Sequence, residues 1–169
     1  VERHRGDPQV REALLARPDL PATLRQMLID GLSEALGQLV LERDWLSPHR
    51  ARKVLADARD RAVIDLAGGC GDAHRGALVA MLASDGRLTP ALIIRALAAG
   101  DRRFVEAALS HLSRTPVPRV IALMQENRAG FCALYRKSGL AIGALPAIRA
   151  MIEVLRDQGA EVCEISLPH

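Results

Sequence analysis

Three times in this chain a residue able to cap a helix is followed directly by proline: Asp7-Pro8, Ser47-Pro48 and Thr89-Pro90. At the first helical position proline gives up an amide that has no partner there, while the preceding side-chain oxygen can accept from a first-turn amide. Each dipeptide therefore predicts a helix start. The residues after the starts repeat with a helical period: Leu20, Leu24, Met27, Leu28, Ala35, Leu36 and Leu39 fall on one face, as do Ala51, Val54, Leu55, Ala58, Ala62 and Leu66. Arg50, Lys53, Asp57 and Arg61 turn away from the second stripe.

The starts lie 40 and 42 residues apart, inside the roughly 40 to 47 residue period of HEAT-type helix pairs. Further helices are predicted at 72–83, at 101–112 behind an Asp101 cap, and at 117–126, 129–138 and 145–158, with Gly100, Gly139 and Gly159 as stops. The expected architecture is all-α: about nine short helices stacked as HEAT-like pairs into a solenoid. A second self-match, Leu15, Arg17, Pro21 and Met27 against Leu112, Arg114, Pro118 and Met124, breaks the register. Helix pairs are thus better defined than a repeat count. One helical-repeat domain is expected over 1–160, with 161–169 as an extended tail, since a single strand has nothing to pair with.

Composition agrees. Trp45, Tyr135, Phe104 and Phe131 are the only aromatic residues, and the apolar content is mostly Ala and Leu, which favour helix over strand. Lys53 and Lys137 are the only lysines among 23 basic residues. The net charge of +3 permits an acidic partner or nucleic acid without requiring one. No apolar run approaches the ~20 residues that span a bilayer. Cys70, Cys132 and Cys163 are odd in number and widely spaced, which fits a reducing cytoplasm better than a disulfide framework. A start at Val1 inside a repeat-like stretch fits a piece of a longer protein.

Local motifs for chemistry are weak. Gly68-Gly69-Cys70-Gly71-Asp72 precedes a predicted helix but follows no strand and lacks a Gly-Lys-Ser/Thr element, so phosphate-loop and dinucleotide fingerprints fail. It reads as an inter-helix loop with Asp72 as cap. Cys70 and His74 supply two metal ligands where about three or four are needed. Ser47, Ser84, Ser110, Ser113 and Ser138 have no nucleophile-elbow context. No catalytic residue, cofactor or metal is expected. The candidate binding residues are two basic clusters, Arg50, Arg52, Lys53, Arg59 and Arg61 on one helix, and Arg102, Arg103, Arg119, Arg136 and Lys137, which converge only if the last repeats stack. Without aromatic interleaving they suit backbone phosphates better than stacked bases.

The stretch Ala96-Leu97-Ala98-Ala99-Gly100-Asp101 with Phe104, Glu106-Ala107-Ala108-Leu109 and Leu112, then Leu134-Tyr135-Arg136 and Gly139-Leu140, resembles an uncharacterised bacterial family found mainly in alphaproteobacteria. Asp7-Pro8-Gln9-Val10-Arg11 and Leu15-Ala16-Arg17-Pro18 resemble the HEAT-type repeats that open such proteins. The resemblance implies a helical-repeat fold in a bacterial cytoplasm and carries over no catalytic residue. The expected function is a non-catalytic scaffold that docks a helix or peptide of another protein in a concave groove. The alternative is a nucleic-acid binder using the arginine clusters.

Overall fold

The structure is a computed structural model that describes residues 13, 17, 20–126 and 128–165. Among these residues eight α-helices are delimited, in order: α1 Ala22–Glu42, α2 Pro48–Gly68, α3 Asp72–Ser84, α4 Pro90–Ala98, α5 Arg102–Ser113, α6 Val117–Glu126, α7 Arg128–Lys137 and α8 Leu145–Ile165, with a 3-10 turn Ile142–Ala144 leading into α8. The described residues contain no strand. The chain is all-helical, and each helix predicted within the described residues is present. The start at Asp7-Pro8 lies outside them.

The helix starts divide by mechanism. Thr89 accepts from the Leu92 amide at 3.3 Å and Asp101 from the Phe104 amide at 3.0 Å, so both cap as expected. Ser47 precedes Pro48 in extended backbone but makes no capping bond through its side chain. There the proline alone sets the entry. At the α4 stop, Gly100 turns left-handed (φ 77°) and the Asp101 amide bonds back to Ala96 O at 2.9 Å. α5 ends the same way on Arg114 (φ 50°), with the Thr115 amide on Ser110 O at 3.1 Å. The predicted stop at Gly159 is not used. α8 continues to Ile165, so residues 161–165 are helical and not an extended tail. Each added residue extends an existing helix by one hydrogen bond, whereas a lone strand gains none. At 21 residues each, α1, α2 and α8 are also longer than the short helices expected.

The chain divides into two compact units, 1–78 and 79–169, with the division inside α3. In the first unit, α1 packs against α2. Their buried positions are Ala22, Gln26 and Gly37 from α1 and Ala51, Val63, Ile64 and Ala67 from α2. This corrects both predicted stripes: Met27, Leu36, Leu39 and Val54 are exposed. At Gly37 the two helices approach closely. A Cβ built on Gly37 would lie 2.6 Å from Leu55 Cδ1.

The second unit has the richer core. Leu92, Ile93 and Leu97 of α4, Phe104, Val105 and Leu109 of α5, Val120 and Met124 of α6, Phe131, Leu134 and Tyr135 of α7 and Ile148 of α8 are all buried. The predicted α5 stripe therefore holds, with Leu112 half-buried at its edge. α5 packs on α4, α6 and α7, and α6 on α7. α8 returns to α4, the first complete helix of the unit. That pairing joins two helices far apart in the sequence.

Candidate interaction surface

On α1 the leucines face outward. Leu32, Leu36 and Leu39 are 40, 49 and 39% exposed, and Leu28 is half-buried on the same line. Positions 28, 32, 36 and 39 advance by four, four and three residues, so they stack along one side of the helix. The opposite side carries Gln26, Asp30 and Gly37 against α2. There Gln26 Nε2 donates to Asp30 Oδ1 at 3.0 Å, and Arg59 of α2 lies 3.9 Å from the same oxygen and 3.5 Å from Asp30 O. On α1, leucines thus line the outer side, and Gln26, Asp30 and Gly37 the side that meets α2. Trp45, in the turn after α1, is 65% exposed.

The first basic cluster divides between two faces of α2. Arg50, Lys53 and Arg61 are exposed on one side, the side that also carries Asp57. Arg59 points toward α1 and Asp30, and Arg52 donates through Nε to Pro48 O at 3.1 Å. The second cluster does not converge either. Arg102 at the start of α5 pairs with Glu106 at 2.8 Å, beside exposed Arg103. Lys137, at the end of α7, donates to Thr115 Oγ1 beyond the other end of α5 at 3.2 Å, roughly 16 Å along the axis. Arg119 and Arg136 are exposed on α6 and α7.

The glycine-rich loop 68–71 is held from below by an arginine that no sequence motif marks. Arg75, 4% exposed, donates from Nε and Nη2 to Ala67 O at 3.3 and 3.2 Å and from Nη2 to Cys70 O at 2.8 Å. Its Nη1 contacts Asp72 Oδ1. The guanidinium closes the carbonyl end of α2, where unpaired C=O groups and the helix dipole favour a cation. Asp72 therefore serves Arg75. A hollow of about 250 Å³ opens beside the loop, lined by Arg25, Asp65, Cys70 and His74 among others. Among the described residues no three His, Cys, Asp or Glu side chains are grouped to hold a metal.

In the second unit a cleft of about 430 Å³ lies at the start of α5, lined by Asp101, Arg102, Arg103, Glu106, Ile121 and Gln125. Glu106 is buried beneath Arg102. Tyr135 donates to Ala141 O at 2.9 Å and tilts against Phe131 with ring centroids 6.2 Å apart. Burial raises its phenol pKa above the ordinary 10.0 by desolvating the phenolate. No helix among the described residues is long and apolar enough to cross a membrane.

Two curated relatives share part of the sequence. The A-type subunit of glutamyl-tRNA(Gln) amidotransferase from Roseiflexus castenholzii is 55% identical over 42 residues, 25% of this chain and 9% of the relative. The protein of the same name from Roseiflexus sp. is 40% identical over 83 residues, 47% of this chain and 16% of the relative. The chain thus spans at most 16% of the length of these relatives. No solved structure matches it. The family DUF2336, described as an uncharacterised protein conserved in bacteria, matches residues 1–165, and with its all-helical fold the chain belongs to that family.

Proposed function

We propose that this chain is a non-catalytic, HEAT-like helical scaffold of the bacterial cytoplasm that docks a helix of another polypeptide on the outer face of α1. The observation that carries the reading is the row Leu28, Leu32, Leu36 and Leu39, turned outward while α1 packs on α2 through Gln26, Asp30 and Gly37. Aligned apolar side chains at helical spacing mark a site for a partner's amphipathic helix. Charged residues would cover that face at lower free energy if it met only water.

A second reading, backbone contact with nucleic acid, draws on the shared exposed face of Arg50, Lys53 and Arg61. Asp57 on that face and the internal partners of Arg59, Arg102 and Lys137 weaken it. The stretches shared with the two amidotransferase proteins are too small a share of their length to extend their activity to this chain.

Affinity capture from the native lysate, after nuclease and at high salt, tests both readings. Proteins retained by the unaltered chain and lost from Leu36→Glu, with helical circular dichroism unchanged, are the expected result. Equal recovery by both chains would overturn the α1 site. Recovery of nucleic acid that salt removes would favour the arginine face.

A further inference from the structure

We propose that the end of the second unit where α5 and α7 finish lies against an anionic lipid surface, through Arg114, Arg136 and Lys137, with Val117 and Ile142 entering between the headgroups. None of these residues belongs to the α1 face.

Between Glu106 and Glu153 the chain carries six Arg or Lys residues and one acidic residue, Glu126. The fold sorts them. Arg149 lies 3.6 Å from Glu153, and Arg128 opens α7 just after Glu126 closes α6. The other four gather where Lys137 Nζ donates to Thr115 Oγ1 at 3.2 Å, a contact that brings the last turn of α7 to the loop between α5 and α6. Arg114 precedes that threonine, Arg119 follows it in the first turn of α6, and Arg136 precedes the lysine; all four are exposed. Glu126, at the far end of α6, is roughly 14 Å from Val117 along the axis. Among the described residues no carboxylate pairs with Arg114, Arg136 or Lys137.

Cations at helix C-termini ordinarily answer the helix dipole, and here that demand is small. α5 and α7 end at this place with about half a negative charge each, while α6 begins there with about half a positive one, so Arg114, Arg136 and Lys137 exceed the balance by about 2.5 charges. Arg114 also stands where α4 and α7 stop on glycine: its φ is 50°, against 77° at Gly100 and 74° at Gly139. A side chain in that left-handed region is strained, yet the position holds a guanidinium. Val117 and Ile142 decide the class of partner. Val117, two residues beyond Thr115, is 40% exposed, and Ile142 is 57% exposed beside Ala141, whose carbonyl accepts from Tyr135 in the last turn of α7. Phe131 and Tyr135 are buried, so no ring is presented for stacking on bases. Apolar side chains among cations match the boundary between phosphate headgroups and acyl chains, where burial and charge act together.

Co-sedimentation of the full chain with vesicles tests the proposal, using phosphatidylcholine alone and phosphatidylcholine mixed with phosphatidylglycerol in equal parts. Each basic residue near an anionic surface contributes about fivefold, so the mixed vesicles are expected to be preferred about a hundredfold, and high salt to release the chain. Arg114→Gly, which relieves the backbone strain, is expected to weaken binding about fivefold with stability kept, and Arg136→Ala with Lys137→Ala about thirtyfold. Ile142→Ser is expected to weaken vesicle binding about tenfold and to leave retention on a DNA duplex unaltered. Leu36→Glu is expected to change neither. Absence of binding, equal binding to both vesicle types, or binding indifferent to the three basic residues overturns the inference. So does a DNA duplex bound as tightly as the mixed vesicles with Ile142→Ser neutral on both, which assigns the patch to a soluble polyanion.

Discussion

Replacing Arg75 with methionine keeps most of the side-chain volume and removes every donor. Ala67 O retains a long bond from the Cys70 amide, 3.5 Å, so it is only partly stripped, whereas Cys70 O loses its 2.8 Å charged donor. Hydrogen bonds to charged groups contribute about 1.5–3 kcal/mol each. The Asp72 contact adds little, because that carboxylate is 90% exposed and an exposed pair contributes at most about 1 kcal/mol. The expected loss is therefore about 2–4 kcal/mol for Arg75→Met. Arg75→Lys should lose roughly half as much, since a single ammonium cannot span two carbonyls as the planar fork does. Asp72→Ala should lose less than about 1 kcal/mol. Urea unfolding followed at 222 nm reads all three. With a slope of about 2 kcal/mol per molar, the Met variant's midpoint should fall by roughly 1–2 M. A Met variant within about 0.5 kcal/mol of the parent would refute the role of Arg75 as the cap of α2, and an Asp72→Ala loss equal to that of Arg75→Met would place the stabilisation in the ion pair.

Thr89→Ala and Asp101→Ala should each cost about 1 kcal/mol by chemical denaturation, and Ser47→Ala only a few tenths, because only the first two side chains make cap bonds. Equal losses at all three would contradict the cap geometry. Tyr135 is the only tyrosine, so the ultraviolet phenolate band isolates it. Its folded pKa is raised, so its stabilising contribution is complete below the ordinary tyrosine range and is lost as pH rises through the folded value. The band should appear at higher pH in the folded chain than in urea, and coincident curves would contradict its burial. Gly37→Ala should be close to neutral, a helix-propensity gain of about 1 kcal/mol offset by displacement of the Leu55 tip. Gly37→Leu should cost about 2–3 kcal/mol, relieved in part by Leu55→Ala; full stability in the single variant would contradict the close approach.

Local chemistry made the helices legible. Thr89-Pro90 and Asp101 fix starts, and Gly100 and Gly139 take left-handed backbone (φ 77° and 74°) at stops, so propensity and capping agree with the folded chain. Which face each helix buries was harder to read. Periodicity shows that α1 has a leucine side but not that its packing partner α2 meets the other one, since Gln26, Asp30 and Gly37 carry no apolar signal. The long-range pairing of α8 with α4 depends on tertiary packing that no local pattern encodes. Arg75 was invisible for a related reason: its partners are backbone carbonyls of Ala67 and Cys70, and a carbonyl leaves no mark in a sequence. The basic clusters were visible as composition, yet the faces of α2 and the length of α5 separate their members.

The distribution of the rare aromatic residues gives the molecule two separate optical reporters. Its one tryptophan, Trp45, is exposed beside α1 in the first unit, and its one tyrosine, Tyr135, is buried in the second. Indole emission can therefore follow events at the α1 turn while phenol absorbance or near-ultraviolet dichroism follows the core around α7. In a single denaturation series, coincident signals would show that the two units melt as one cooperative body, and separated signals would give each its own stability.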